Sequence, residues 1–217
     1  MGFLQASYGF VQHPLSPPVA VAAPQTGDGV LVRAAAAGDR RACHAIWEKY
    51  APLVQRLVRR FFGPGPDLPD VCQEAFLRVF RRIKEVHDPD ALAGFIVSVT
   101  LGVARNEARR RKVRSIIGLR PAEDMPVVAD VRRNHDAREE IVALYRLLNR
   151  LSAGDRSLFI SRYVEKLDLT EVATIHEISL STAKRRLRRL AENIDRRMES
   201  EPALQEYVGL LRQRVTP

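Results

Sequence analysis

Five cations fall between positions 184 and 189: Lys184, Arg185, Arg186, Arg188 and Arg189, with no acid between Glu177 and Glu192. A solvated helix face normally mixes charge signs, because like charges repel. An unmixed basic face suits a polyanion, and long basic side chains can reach guanine N7 and O6 in a major groove. A second cluster comprises Arg105, Arg109, Arg110, Arg111, Lys112 and Arg114, with Glu107 its one acid. Cations at a helix C-terminus favour the helix dipole, but six exceed what that requires, and contact with phosphates accounts for the excess. A third feature is Leu77, an apolar side chain set on a helical projection among Asp70, Gln73, Glu74 and Arg81. Isolated exposed leucines are common, so this position reads either as a partner contact or as ordinary surface.

The elements that must hold these residues are helical. Asp168 followed by Glu171 is a capping signature, and Val172, Ala173 and Ile175 line one side of the short helix that it opens. Ser179 caps a second helix, whose Leu180, Ala183, Leu187, Leu190, Ala191 and Ile194 recur at helical spacing. The interval between the two fits only a tight corner, so the pair reads as a helix-turn-helix. Its first turn brings Ser181, Thr182, Lys184 and Arg185 towards base edges, with Arg188 and Arg189 one turn later and Arg186 beside a flanking phosphate. Leu180, Ala183, Leu187 and Leu190 form the seam facing the domain core.

A net charge of +9 favours nucleic acid or an acidic surface as partner, and 46% apolar with 28% charged residues is a globular composition. Cys43 and Cys72 are the two cysteines, so no disulfide framework is expected and a reducing cytoplasm fits. Neither cysteine has metal-ligand spacing, and no metal or other cofactor is expected. The uncharged run Ala91–Ala104 is shorter than the roughly 20 residues of a spanning helix, so no membrane insertion is expected. The first 27 residues contain four prolines and no Lys or Arg, which is not a signal-peptide pattern.

The expected fold is all-α: two small helical domains joined by a flexible linker. Residues 1–27 form a flexible extension. Residues 28–117 form the first domain, whose periodicity runs through Ala42, Ile46, Tyr50, Val54, Leu57 and Phe61 to a stop at Gly63-Pro64-Gly65-Pro66. Pro52 either kinks this helix or divides it. Asp67 caps the next helix, which His87-Asp88-Pro89-Asp90 ends, and another runs from about Ala91 into the basic cluster. Residues 118–135 form the linker. Residues 136–198 form the second domain, with a further cap at Ser152 and Asp155. Residues 199–217 are a C-terminal extension, with a helix over Glu201 to Arg212.

These stretches together resemble a bacterial RNA polymerase sigma factor of the extracytoplasmic-function (ECF) group. The resemblance rests on Ala37-Gly38-Asp39-Arg40-Arg41-Ala42, Tyr50-Ala51-Pro52-Leu53-Val54 and Asp70-Val71-Cys72-Gln73-Glu74-Ala75-Phe76-Leu77-Arg78-Val79-Phe80. In the second half it rests on Leu169-Thr170-Glu171-Val172-Ala173, Ile178-Ser179 and Thr182-Ala183-Lys184-Arg185-Arg186-Leu187. It implies a region 2-like first domain that binds core RNA polymerase through Asp70, Gln73, Glu74, Leu77, Arg78 and Arg81. That domain would also hold the minus-ten element of promoter DNA through Lys84, His87, Asp88, Asp90, Arg105, Asn106, Arg109, Arg110, Arg111 and Lys112. The region 4-like second domain would read the minus-thirty-five element. No catalytic residue is implied, since nucleotide addition belongs to the polymerase. An anti-sigma factor is implied as a further partner, although no residue specifies one. Where the family usually has Trp, Asn and a Leu-Gly corner, this chain has Phe95, Gly102 and His176-Glu177. The alternative is a helix-turn-helix regulator that acts without core polymerase.

Overall fold

The computed structural model describes residues 27–63, 67–116 and 145–198, and the secondary-structure elements among the described residues are helical. Helix α1 (Asp28–Ala36) turns at Gly38, whose φ of 95° suits a residue without Cβ, into α2 (Arg40–Phe62). The Asp39 side chain caps α2 by accepting from the Arg41 amide at 2.8 Å. Pro52 lies inside α2 without dividing it. The missing amide costs one helical hydrogen bond, and the buried neighbours Ala51 and Val54 hold the helix in place. Helix α2 ends at Phe62, as the Gly-Pro run predicts.

Helix α3 (Leu68–Arg82) follows, with Pro69 in its first turn. Here the expected cap is corrected. Asp67 makes no side-chain capping bond, because its backbone (φ −83°, ψ 1°) is not in the extended conformation that turns a cap side chain back on the helix. Its carboxylate instead lies 3.6 Å from Arg111. Two single 3-10 turns, Ile83–Glu85 and Pro89–Ala91, break the chain where the Asp-Pro sequence requires it, and α4 (Leu92–Ile116) begins. Ile46, Val54, Val58, Ala75, Val79, Leu92 and Ile96 fill the core among α2, α3 and α4.

The second half begins, among the described residues, with helical residues 145–150. Helix α5 (Ala153–Phe159) is capped by Ser152, whose Oγ accepts from the Asp155 amide at 3.0 Å. It continues as one π-helical turn, Ile160–Val164. Helices α6 (Leu169–Ile175) and α7 (Leu180–Met198) complete this half. The two halves share one core: Leu57, Phe61, Val97, Leu101 and Ala104 of the first pack in a single cluster with Leu147, Leu158, Ile160, Val172, Ile175, Leu187 and Ile194 of the second. The expected linker 118–135, the start of the second half before residue 145, the N-terminal extension apart from Gly27, and the helix over Glu201 to Arg212 lie outside the described residues.

Candidate nucleic-acid interface

The helix-turn-helix is built as its capping residues predict. Asp168 accepts from the amides of Thr170 and Glu171 at 2.7 and 2.8 Å, and the Glu171 side chain accepts from the Asp168 amide at 2.7 Å. This reciprocal box sets the start of α6. The corner is tight, and Glu177 occupies it at φ 53°, a left-handed conformation costing a non-glycine residue about 1 kcal/mol. Ser179 Oγ then accepts from the Thr182 amide at 3.2 Å and starts α7.

On α7 the apolar and basic residues separate. Ala183, Leu187, Leu190 and Ile194 are buried, whereas Ser181, Lys184, Arg185, Arg188 and Arg189 are exposed. Leu180 departs from expectation: it is 42% exposed, so the seam begins at Ala183. As the first helical residue it projects past the packed part of the helix. Thr182 is half-buried, its Oγ1 accepting from the Ser179 hydroxyl at 2.8 Å. Arg186 turns from the basic arc towards α5, 3.5 Å from Asp155. Arg188 pairs with Glu192 at 3.2 Å, yet its side chain stays 84% exposed and able to swing into a groove.

The residues assigned to the minus-ten element form two sets. Lys84, His87, Asp88 and Asp90 are exposed on and between the 3-10 turns, where Asp88 accepts from the Asp90 amide at 3.0 Å. Asn106, Arg109, Arg110 and Lys112 are exposed along α4. Arg111 is held in the fold, 4.5 Å over the Phe62 ring and 3.1 Å from Glu107. Arg105 is half-buried and meets His176 Nδ1 at 3.0 Å. On α3, Asp70, Gln73, Leu77 and Arg81 share an exposed face, while Glu74 and Arg78 pair along its side at 2.6 Å. Leu77 is 43% exposed.

Several functional neighbours escaped sequence reasoning. Arg60 and Glu165 form a buried ion pair at 2.5 Å across 105 residues, and Arg56 approaches the other Glu165 oxygen at 3.9 Å. Arg156 is buried, donating to the Leu148 carbonyl at 2.8 Å and lying 5.3 Å over the Phe61 ring; burial lowers its pKa to about 10, so it stays charged at neutral pH. His176 lies between the halves. Burial first, then Arg105 and Arg186, push its pKa down to about 4. A neutral ring beside an arginine must accept at Nδ1, so Nε2–H donates to Ser161 Oγ at 2.9 Å, and that hydroxyl donates onward to the Ser157 carbonyl. No spacing rule links residues so far apart in sequence.

The sigma-70 region 2 family model matches residues 46–114, and the sigma-70 region 4 model matches residues 141–192. The matches come in that order and together take in more than half of the chain. The chain belongs to the sigma-70 family of RNA polymerase sigma factors. It falls in the ECF group. It is 26% identical over 191 residues to the RNA polymerase sigma-H factor of Pseudomonas aeruginosa, covering 84% of this chain and 98% of that one. To the ECF RNA polymerase sigma-E factor of Escherichia coli (strain K12) it is 26% identical over 184 residues, covering 81% and 96%. Among solved structures it resembles CnrH in complex with the cytosolic domain of CnrY, with a TM-score of 0.55 and 19% identity, over 80% of this chain and 98% of that one. This last likeness concerns the fold. As a sigma factor the chain directs promoter-specific initiation and is not an enzyme. A regulator acting without polymerase does not account for the region 2 match. Among the described residues no helix is long and apolar enough to cross a membrane.

Proposed function

We propose a division of labour within this sigma factor. The outer face of α3, centred on Leu77, docks on core RNA polymerase. The first domain, 28–117, melts and holds the minus-ten element, with an extruded base captured by the loop from Glu85 to Leu92 and with Lys84, His87, Asp88 and Asp90 contacting the element. Capture replaces duplex stacking by a protein pocket, at a cost of a few kcal/mol recovered there. Asn106, Arg109, Arg110 and Lys112 bind adjacent phosphates, together with Arg105 and Arg111 once their partners in the fold release them. The second domain, 136–198, reads the minus-thirty-five element through Ser181, Thr182, Lys184, Arg185, Arg188 and Arg189, with Arg186 at a flanking phosphate. The segment 118–135 links the two along the polymerase.

The observation that carries this reading is the separation on α7: an apolar arc turned into the core and an exposed cationic arc, Lys184 to Arg189, that lies within the region 4 match. Promoter DNA and core polymerase are therefore the partners, and the cytoplasm, where polymerase works, is the expected site of action. An anti-sigma factor is a further expected partner; its support is that the solved relative CnrH is in complex with the cytosolic domain of CnrY. Transcription from a promoter library with purified core polymerase tests the whole. The chain should start at promoters sharing both elements, and Leu77→Asp should abolish core binding while the circular dichroism stays helical, since burial of an unpaired charge costs several kcal/mol. Unchanged core affinity would remove Leu77 from the interface.

A further inference from the structure

Among the described residues, four large apolar side chains stand well exposed: Val30, Leu77, Val113 and Leu180. Leu180 differs from the others in its place. It is the first residue of α7, the helix whose exposed arc carries Lys184, Arg185, Arg188 and Arg189. The later leucines of the same helix, Leu187 and Leu190, are buried in the core. A helical side chain leans towards the N-terminus of its own helix, so Leu180 reaches forward past the first turn and not down onto the core.

The hydroxyls around Leu180 are turned on one another. Ser179 Oγ accepts from the Thr182 amide at 3.2 Å and donates to Thr182 Oγ1 at 2.8 Å. Ser181 Oγ lies 3.0 Å from the same Ser179 oxygen. A hydroxyl has one proton to give, and Ser179 gives its proton to Thr182, so Ser181 is the donor in this second bond. Two of the three hydroxyl protons of the first turn are thus spent inside it, and Thr182 is half-buried. Leu180 is the largest side chain that this end of the helix presents. In a major groove, hydrogen-bonding base edges offer an apolar side chain nothing in exchange for their water. The C5 methyl of thymine does, and among the four bases only thymine carries it.

We propose that Leu180 is a specificity-determining residue that packs on the C5 methyl of a thymine in the upstream element. It rests on the reading of α7 given above and adds the base that the head of the helix selects. The readout is then divided by chemistry: the cationic arc takes guanine N7 and O6, and the leucine takes a T·A pair beside them. Uracil differs from thymine by the methyl alone and keeps every hydrogen-bonding group of the pair, so it isolates this contact.

The test uses the full chain assembled with core RNA polymerase, on duplex promoters whose upstream element the parent has selected from a library. Each thymine of that element, on either strand, is replaced in turn by deoxyuridine. The apparent dissociation constant is measured for the parent, Leu180→Ala and Leu180→Met. One replacement should weaken parental binding about fourfold, the equivalent of about 0.8 kcal/mol for one buried methyl. Leu180→Ala should bind the thymine promoter more weakly than the parent and lose nothing further with uracil at that position. Leu180→Met, which keeps a long apolar side chain, should retain the dependence on the methyl. Thermal unfolding of the free chains should be alike for all three, since the side chain stands outside the core. A selected element without thymine, no effect of uracil at any position, or an equal uracil penalty in the parent and Leu180→Ala would overturn the assignment. A parent that selects no upstream element would sink the reading of α7 itself, and the inference with it, before any uracil is introduced.

Discussion

Arginines on the outer arc of α7 and arginines in the seam between the halves do opposite work with one side chain. Arg185, Arg188 and Arg189 are exposed, and the Arg188–Glu192 pair among them lies at the surface. Arg60, Arg105 and Arg156 are buried or half-buried, and each is hydrogen-bonded across the seam or to a backbone carbonyl beside it. A cation in water loses little when its partner is removed, whereas one inside the fold depends on that partner. The outer arc can therefore vary at little cost to the fold, while the seam is bound to the stability of the chain and to the relation between its halves.

The largest effect should come from the seam. Glu165→Ala removes the carboxylate between Arg56 and Arg60 and should cost about 3 kcal/mol in denaturant unfolding, in the range for breaking a buried pair. Arg188→Ala on the outer arc should cost under about 0.5 kcal/mol by the same measurement, since the Arg188–Glu192 pair is exposed. Equal losses would erase the contrast.

A second difference is expected with pH. Folding holds His176 neutral with a pKa of about 4, below the ordinary 6.5. Its contribution to stability is thus complete above pH 6.5 and is lost as pH falls towards 4, because the unfolded chain takes up a proton that the folded chain resists. Around the ring, Arg105 and Arg186 supply the cations that oppose protonation. Unfolding midpoints measured from pH 7 to 5 should fall in the parent, and fall less in His176→Gln. Parallel curves would show that the histidine is not the group responsible.

The smallest effect sharpens the comparison from outside it. Asp168→Ala removes the cap of α6 at an exposed position and should cost about 1 kcal/mol, with no change in promoter preference. A preference change would mean that α7 is aimed by the start of α6, so that the outer arc is not independent of the fold behind it.

Much of this molecule could be read from its sequence where the signals are local. The capping box at Asp168, the cap at Ser152, the break at Asp88-Pro89 and the arcs of α7 all follow from residues within a turn or two of each other. Asp67 shows the limit of such rules, since a long-range partner, Arg111, holds a carboxylate that local pattern assigns to a cap. Leu180 shows another, because periodicity assigns a face without marking where packing begins. The seam was not legible at all. Arg60 and Glu165 are 105 residues apart, and each reads as ordinary surface charge until the fold brings them together. The corner His176-Glu177 stood out only as a departure from the family; its bond to Arg105 is visible only in three dimensions.

The central claim, that the exposed arc of α7 reads the upstream element, is tested most directly by promoter-library selection with core polymerase and either Arg185→Ala or Arg188→Ala. Each lost bidentate contact should relax preference at one or two upstream base pairs by roughly 1–3 kcal/mol, while opening of a pre-melted minus-ten element stays normal. Retention of the parental upstream preference by both variants would contradict it.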